Sequence, residues 1–221
     1  ECQAGNIDPH TMENQLQVQP RCGSCSYAEL PLGFDAIYGV TGTLKGLSDT
    51  EVKILREVCN IRNFSYFPSV YGANKLKFAA DSSRDVILCD STEDYFLEIK
   101  AEIIRRRRPV NDYPLVKRPV MVFFPSKEVM IAFDDSDQMK EFKVSNHVRV
   151  ITEAIDPREK DGEFLSATRN GAVTLMIREF GRGTDFKCFD TKILTAGGVH
   201  VIQAFYSIDS AEEIQLKGRA A

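Results

Sequence analysis

The stretch GAVTLMIREFGRGTDFK, residues 171–187, decides how the chain folds. Its first seven residues form a near-continuous apolar run, the pattern of a strand buried on both faces. The run empties into a turn in which Gly181 and Gly183 flank Arg182, and Thr184 and Asp185 follow. Glycine removes side-chain bulk, so backbone N–H groups can approach an anion or adopt unusual φ/ψ angles. Arg182 can fork onto phosphate or carboxylate. Asp185 can pair with that arginine, or accept from a sugar or water. The same residues also fit a tight surface turn closed by a local ion pair.

Outward from this stretch the chain alternates strand and helix. AIYGV (36–40), NFSYFP (63–68), RDVILCD (84–90), RPVMVFF (118–124), HVRVIT (147–152) and GGVHVIQAFY (197–206) read as further strands. Residues 47–59, 91–107, 126–142, 156–170 and 210–221 carry helical spacing or helix-start signals. Ser48 or Asp49 can serve as N-cap of the first helix with Glu51 behind it, and Ser91 with Asp94 forms a capping-box pattern. The 91–107 helix has acids first and arginines last, as the helix dipole favours. Short strands alternating with helices predict an α/β fold with a mostly parallel sheet. In such folds ligands gather at the carboxyl ends of strands. The GRGTD turn lies at one such end and GVTGT, Gly39 to Thr43, at another. Thr41, Gly42 and Thr43 offer backbone donors and two hydroxyls there; the bland alternative is a turn that starts the next helix.

The chain has 221 residues, 43% apolar and 27% charged, enough for a sizeable core. A net charge of −4 argues against a dedicated nucleic-acid binder. No apolar run approaches a membrane span of about 18 residues. Six scattered cysteines suit reduced thiols, and so a cytoplasmic chain. Residues 1–25 are expected to be a linker or a disordered or added segment, and residues 26–221 the folded domain, a piece of something longer. The pair Cys22 and Cys25 lacks the second ligand pair a zinc site needs. His10, His147 and His200 lack metal-ligand spacing, and the chain has no GxxxxGK[ST] phosphate loop. The run Arg105–Arg108 suits a helix carboxyl end, with contact to nucleic acid or acidic lipid as the sharper alternative. Arg219 follows the last strand on a helix; by itself it also reads as a solvated charge.

Four segments, in order, resemble the second motor domain of the SecA preprotein translocase ATPase family. They are SYAELPLGFDAIYGVTGTL (26–44), RPVMVFFPSKEV (118–129), RNGAVTLMIREFGRGTDFK (169–187) and GGVHVIQAFYSIDSAEEIQLKGRAA (197–221). The resemblance implies a three-layer RecA-like fold, the helicase C-terminal lobe of a two-lobed motor. It implies ATP between the lobes, with Mg²⁺ held by the first lobe, which also carries the P-loop. Asp185 would contact the nucleotide beside Gly181, Gly183 and Thr184, Arg219 would reach the γ-phosphate, and Arg182 would support the lobe interface. Implied partners are that first lobe, a polypeptide substrate and a membrane translocation channel, so the protein would be cytoplasmic or peripheral at a membrane. One departure stands out: Arg178, Glu179 and Phe180 precede the turn where the family usually has ATNMA.

Overall fold

The run quoted above is a strand whose five residues, Val173–Ile177, are all buried. Its neighbour Val120–Phe124 is equally buried and pairs with it in parallel, Val120 opposite Val173 through Phe124 opposite Ile177. In chain order, β1 is Val120–Phe124, β2 Val148–Ile151, β3 Val173–Ile177 and β4 His200–Gln203. All pairings are parallel and the sheet order is β2-β3-β1-β4. The α-helices are α1 (Asp49–Glu57), α2 (Thr92–Arg106), α3 (Lys127–Asp135), α4 (Lys140–Val144), α5 (Lys160–Ala167), α6 (Thr191–Thr195) and α7 (Ser210–Gly218). This computed structural model describes residues 23–27, 29–68, 70, 76–79, 85–109, 113–144, 148–156, 158–184 and 186–219.

Successive side chains of a strand point to opposite faces. On one face Val120, Val122, Phe124, Val173, Leu175 and Ile177 meet Phe96, Ile99 and Ile103 of α2 and Met130 and Phe133 of α3. On the other, Met121, Phe123, Met176 and Ile151 meet Phe164 and Ala167 of α5 and Leu216 of α7. Helices thus cover both faces, and the fold is α/β with an open, all-parallel four-stranded sheet. Two compact units divide the chain, residues 1–40 with 48–65, and residues 41–47 with 66–221; the sheet lies in the second. In the first, Ser48 rather than Asp49 caps α1, through a capping box with Glu51.

Four of the expected strands form. AIYGV (36–40), NFSYFP (63–68) and the described part of RDVILCD (84–90) are irregular. Tyr38 is 95% exposed, Val40 102% and Leu88 76%, so these runs are not core. A short apolar run becomes a strand only where a partner ladder satisfies its backbone, and none does so here among the described residues. The expected helix over 126–142 is two helices. Acids crowd the carboxyl end of α3, where the dipole disfavours them. Ser136 there turns extended and donates its hydroxyl to the Phe133 carbonyl at 2.6 Å. Helix α5 starts at Lys160 rather than 156, and Pro157 lies outside the described residues. Helix α2 matches its sequence signals, with Ser91 accepting from the Asp94 N–H at 3.0 Å.

The strand order creates one special place. β1 and β3 are neighbours, yet the chain leaves β1 towards β2 and leaves β3 towards β4. Connections that diverge from adjacent strands open a crevice at their carboxyl ends. The turn after β3 starts in that crevice.

Candidate functional site

Leaving β3, the chain makes a single 3-10 turn, Arg178–Gly181, and Arg182 returns to extended backbone. Gly183 sits at φ 67°, a left-handed conformation that side chains resist. A Cβ placed there would meet no heavy atom within 4 Å. The backbone at Gly183 therefore faces open space, which suits approach of an anion or a ligand edge. Gly181 has a different task. It is buried, and a Cβ there would lie 2.5 Å from Leu216 Cδ2. Its missing bulk is filled by helix α7 rather than left for a ligand. Thr184 is buried and donates its hydroxyl to the Arg182 carbonyl at 3.2 Å. Asp185 lies outside the described residues.

The sequence contains no local hint of what holds the turn. Arg178 donates from Nε and Nη2 to Glu212 Oε1 at 3.0 and 2.8 Å, and from Nη2 to Oε2 at 2.7 Å. Glu212 is 6% exposed, and the Arg178 guanidinium lies 4.8 Å from the centre of the Phe205 ring. Glu212 Oε2 also accepts the Ile208 N–H at 3.3 Å. Removing one member would strand a buried charge, a loss of about 3–5 kcal/mol. Phe180 packs against both core clusters, edge-to-face with Phe164 at 6.1 Å. The Arg178-Glu179-Phe180 departure thus has a structural account for two of its members: Arg178 binds α7 and Phe180 bridges the two faces of the core.

The candidate arginines are both engaged. Arg182 Nη2 donates to both carboxylate oxygens of Asp209 at 3.0 Å, in a half-exposed pair. Asp209 is also the N-cap of α7, accepting the Glu212 N–H at 2.6 Å. That backbone bond, then Arg182, hold its carboxyl below the usual aspartate range. Arg219, at the carboxyl cap of α7, donates Nε to the Gly181 carbonyl at 2.7 Å and Nη1 to the Thr184 carbonyl. Arg219 and the turn are therefore brought together, and the guanidinium clasps the turn's own backbone.

Thr41, Gly42 and Thr43 do not end a strand. Thr43 is buried, its N–H donates to Thr41 Oγ1 at 3.2 Å, and its Oγ1 accepts from Gln215 of α7 at 3.5 Å. Ser210 donates to the Gly46 carbonyl at 3.2 Å. Both candidate turns thus rest on α7, through different residues. Beside the GRGTD turn lies a cleft of about 360 Å³ lined by Glu153, Ile155, Lys160, Glu179, Phe180, Arg182, Gly183 and Thr184. Among the described residues no three His, Cys, Asp or Glu side chains converge as a metal site, and no helix is long and apolar enough to cross a membrane.

Three of the four arginines of the run have partners within the fold, and Arg108 is exposed. Arg105 and Arg106 donate to Glu102 at 2.5 and 2.6 Å, and Arg107 donates to the Gly171 carbonyl at 2.7 Å. His200 meets the same Glu102 at 3.1 Å. Burial alone would raise the Glu102 carboxyl, but the hydrogen bonds from His200 and Arg106 hold it at about 2. Cys25, Cys59, Cys89 and Cys188 are free thiols.

No protein-family model matches the chain, and no curated protein matches it. The fold and site therefore define a class only: an α/β protein with an open parallel sheet and a glycine-arginine turn at its switch point.

Proposed function

We propose that this chain is the second motor lobe of a SecA-like ATPase, with a RecA-like, helicase C-terminal fold. It supplies one wall of an ATP site whose P-loop and Mg²⁺ ligands belong to another lobe, and ATP hydrolysis there drives polypeptide movement. The observation that carries the reading is the convergence of Arg182, Gly183, Thr184 and Arg219 at the carboxyl end of β3, where the connections of β1 and β3 leave in opposite directions. The open space before Gly183 and the half-exposed Arg182 suit a phosphate. Asp185 and Arg219 carry the nucleotide contacts in this reading, and Arg182 ties the turn to the facing lobe. An arginine so placed contributes about 10³–10⁵ in rate in other NTPases. The pairing of Arg105, Arg106 and Arg107 within the fold weighs against a nucleic-acid helicase.

The test is ATP turnover by a polypeptide holding this lobe together with a P-loop lobe. Arg219→Ala and Asp185→Asn should each abolish most of it, and unchanged turnover in both overturns the reading. The 221-residue chain by itself should not hydrolyse MgATP, because it has no phosphate loop. A second reading, a lobe kept as a protein-binding module, is favoured by one observation: Arg182 and Arg219 are both committed to intramolecular partners. A joined protein that binds its partners normally and turns over no ATP would select it.

A further inference from the structure

The residues of α7 and its caps that touch the turn are 209, 212, 216 and 219, spaced three, four and three apart on one stripe of the helix. Asp209 meets Arg182, Glu212 meets Arg178, Leu216 covers Gly181, and Arg219 holds the Gly181 and Thr184 carbonyls. These contacts differ in what they can fix. The Arg182–Asp209 pair is half exposed, and Leu216 is apolar, so its contact is non-directional. The Arg178–Glu212 pair is forked and largely buried on its Glu212 side, with the Phe205 ring behind the guanidinium. A forked pair defines direction as well as distance. It therefore sets the rotation of α7 about its axis. Glu212 and Arg219 are seven residues apart, nearly two full turns and about 10.5 Å along the helix. A rotational setting at Glu212 is carried to Arg219, whereas a one-residue slip would swing that side chain by about 100°.

We infer that Arg178 and Glu212 are positioning residues that act through Arg219: they set its guanidinium on the 181–184 turn. The consequence for turnover rests on the nucleotide reading above; the positioning itself does not. Arg178→Lys keeps the charge and loses the fork. Glu212→Gln keeps the shape and loses the charge. Asp209→Asn is the control on the same helix.

The direct readout is the Arg219 Nε–H of the whole chain, followed by nitrogen-15 NMR. In the parent it should be a discrete, slowly exchanging signal, since it donates to the Gly181 carbonyl. Both Arg178→Lys and Glu212→Gln should speed its exchange at least tenfold beyond the loss of global stability that the amides of β1 and β3 register, while Asp209→Asn changes it less than threefold. An unchanged signal in both variants overturns the inference, and so does a loss no greater than that of β1 and β3, which would mark a merely structural pair. In an ATP-hydrolysing protein containing this lobe, Arg178→Lys should lower kcat at least tenfold with KM changed less than threefold. It should have no further effect once Arg219 is Ala. Equal effects in the two backgrounds overturn the action through Arg219. Absent turnover in the parent, with the Arg219 signal behaving as expected, sinks the nucleotide reading and upholds the positioning.

Discussion

The Cβ that Gly181 lacks would stand 2.5 Å from Cδ2 and 2.9 Å from Cγ of Leu216. Leu216 is fully buried against the sheet and has little room to retreat. Gly181→Ala should therefore cost about 1–3 kcal/mol by overpacking, read as a lowered denaturation midpoint. Combined with Leu216→Ala, the loss should be smaller than the sum of the two single losses, because the clash disappears with the leucine. A strictly additive pair would mean that the two residues do not meet.

The two ion pairs that join the turn to α7 should behave differently. Arg182→Ala breaks a half-exposed pair and should cost less than about 1 kcal/mol, less still at high salt. Glu212→Gln leaves the partly buried Arg178 without its counter-charge and should cost about 3 kcal/mol or more. Urea denaturation of both variants at two salt concentrations checks the contrast. Equal losses would contradict the burial difference.

Thr174, in the middle of β3, is fully buried, and its Oγ1 has no hydrogen-bond partner. An unsatisfied buried hydroxyl costs free energy that an apolar group of the same shape does not. Thr174→Val should raise stability by about 1 kcal/mol with an unchanged denaturant slope. A loss of stability would mean that the hydroxyl is satisfied.

The Glu102–His200 cluster should make the fold acid-sensitive. Glu102 holds its charge down to about pH 2, whereas an ordinary glutamate titrates near 4.5, so the unfolded chain binds the extra proton first. His200 is pushed below its ordinary 6.5, chiefly by burial and against the pull of Glu102, so it too is protonated first in the unfolded chain. Both contributions are complete above pH 6.5 and are lost on acidification: that of His200 first, below 6.5, and that of Glu102 between 4.5 and about 2. Arg105, Arg106 and Arg118 surround the pair and keep the carboxylate ionised or the imidazole neutral. Solvent still reaches the site, so the Glu102 share is about 1–2 kcal/mol. Glu102→Gln should flatten the acid limb of a stability–pH profile; an unaltered limb would assign the sensitivity elsewhere.

How much of this was legible in the sequence varied by element. Helix α2 was legible because its cap, its early acids and its final arginines are all local signals. β1 and β3 were legible because strands buried on both faces must be apolar at nearly every position. AIYGV and RDVILCD carry the same local composition, but a strand also needs a neighbour, and that information lies outside any short window. The site divided the same way. The place of the GRGTD turn at the end of β3 followed from the apolar run that precedes it. Arg178 looked like an intrusion before the turn because its partner, Glu212, is 34 residues away. Gly181 was read as room for a ligand, and the room belongs to Leu216.

A helix of nine residues, the length of α7, is too short to persist by itself in water. Its propensity is modest, and what stabilises it is the stripe of contacts with a turn that is not helical. Among its described residues the turn has no ladder of its own beyond β3. Neither piece can therefore be an independent folding unit: they are one cooperative block assembled from sequence 30 residues apart. Amide exchange should open both at a common free energy, and a truncation that removes residues 209–219 should leave the GRGTD segment without a shape.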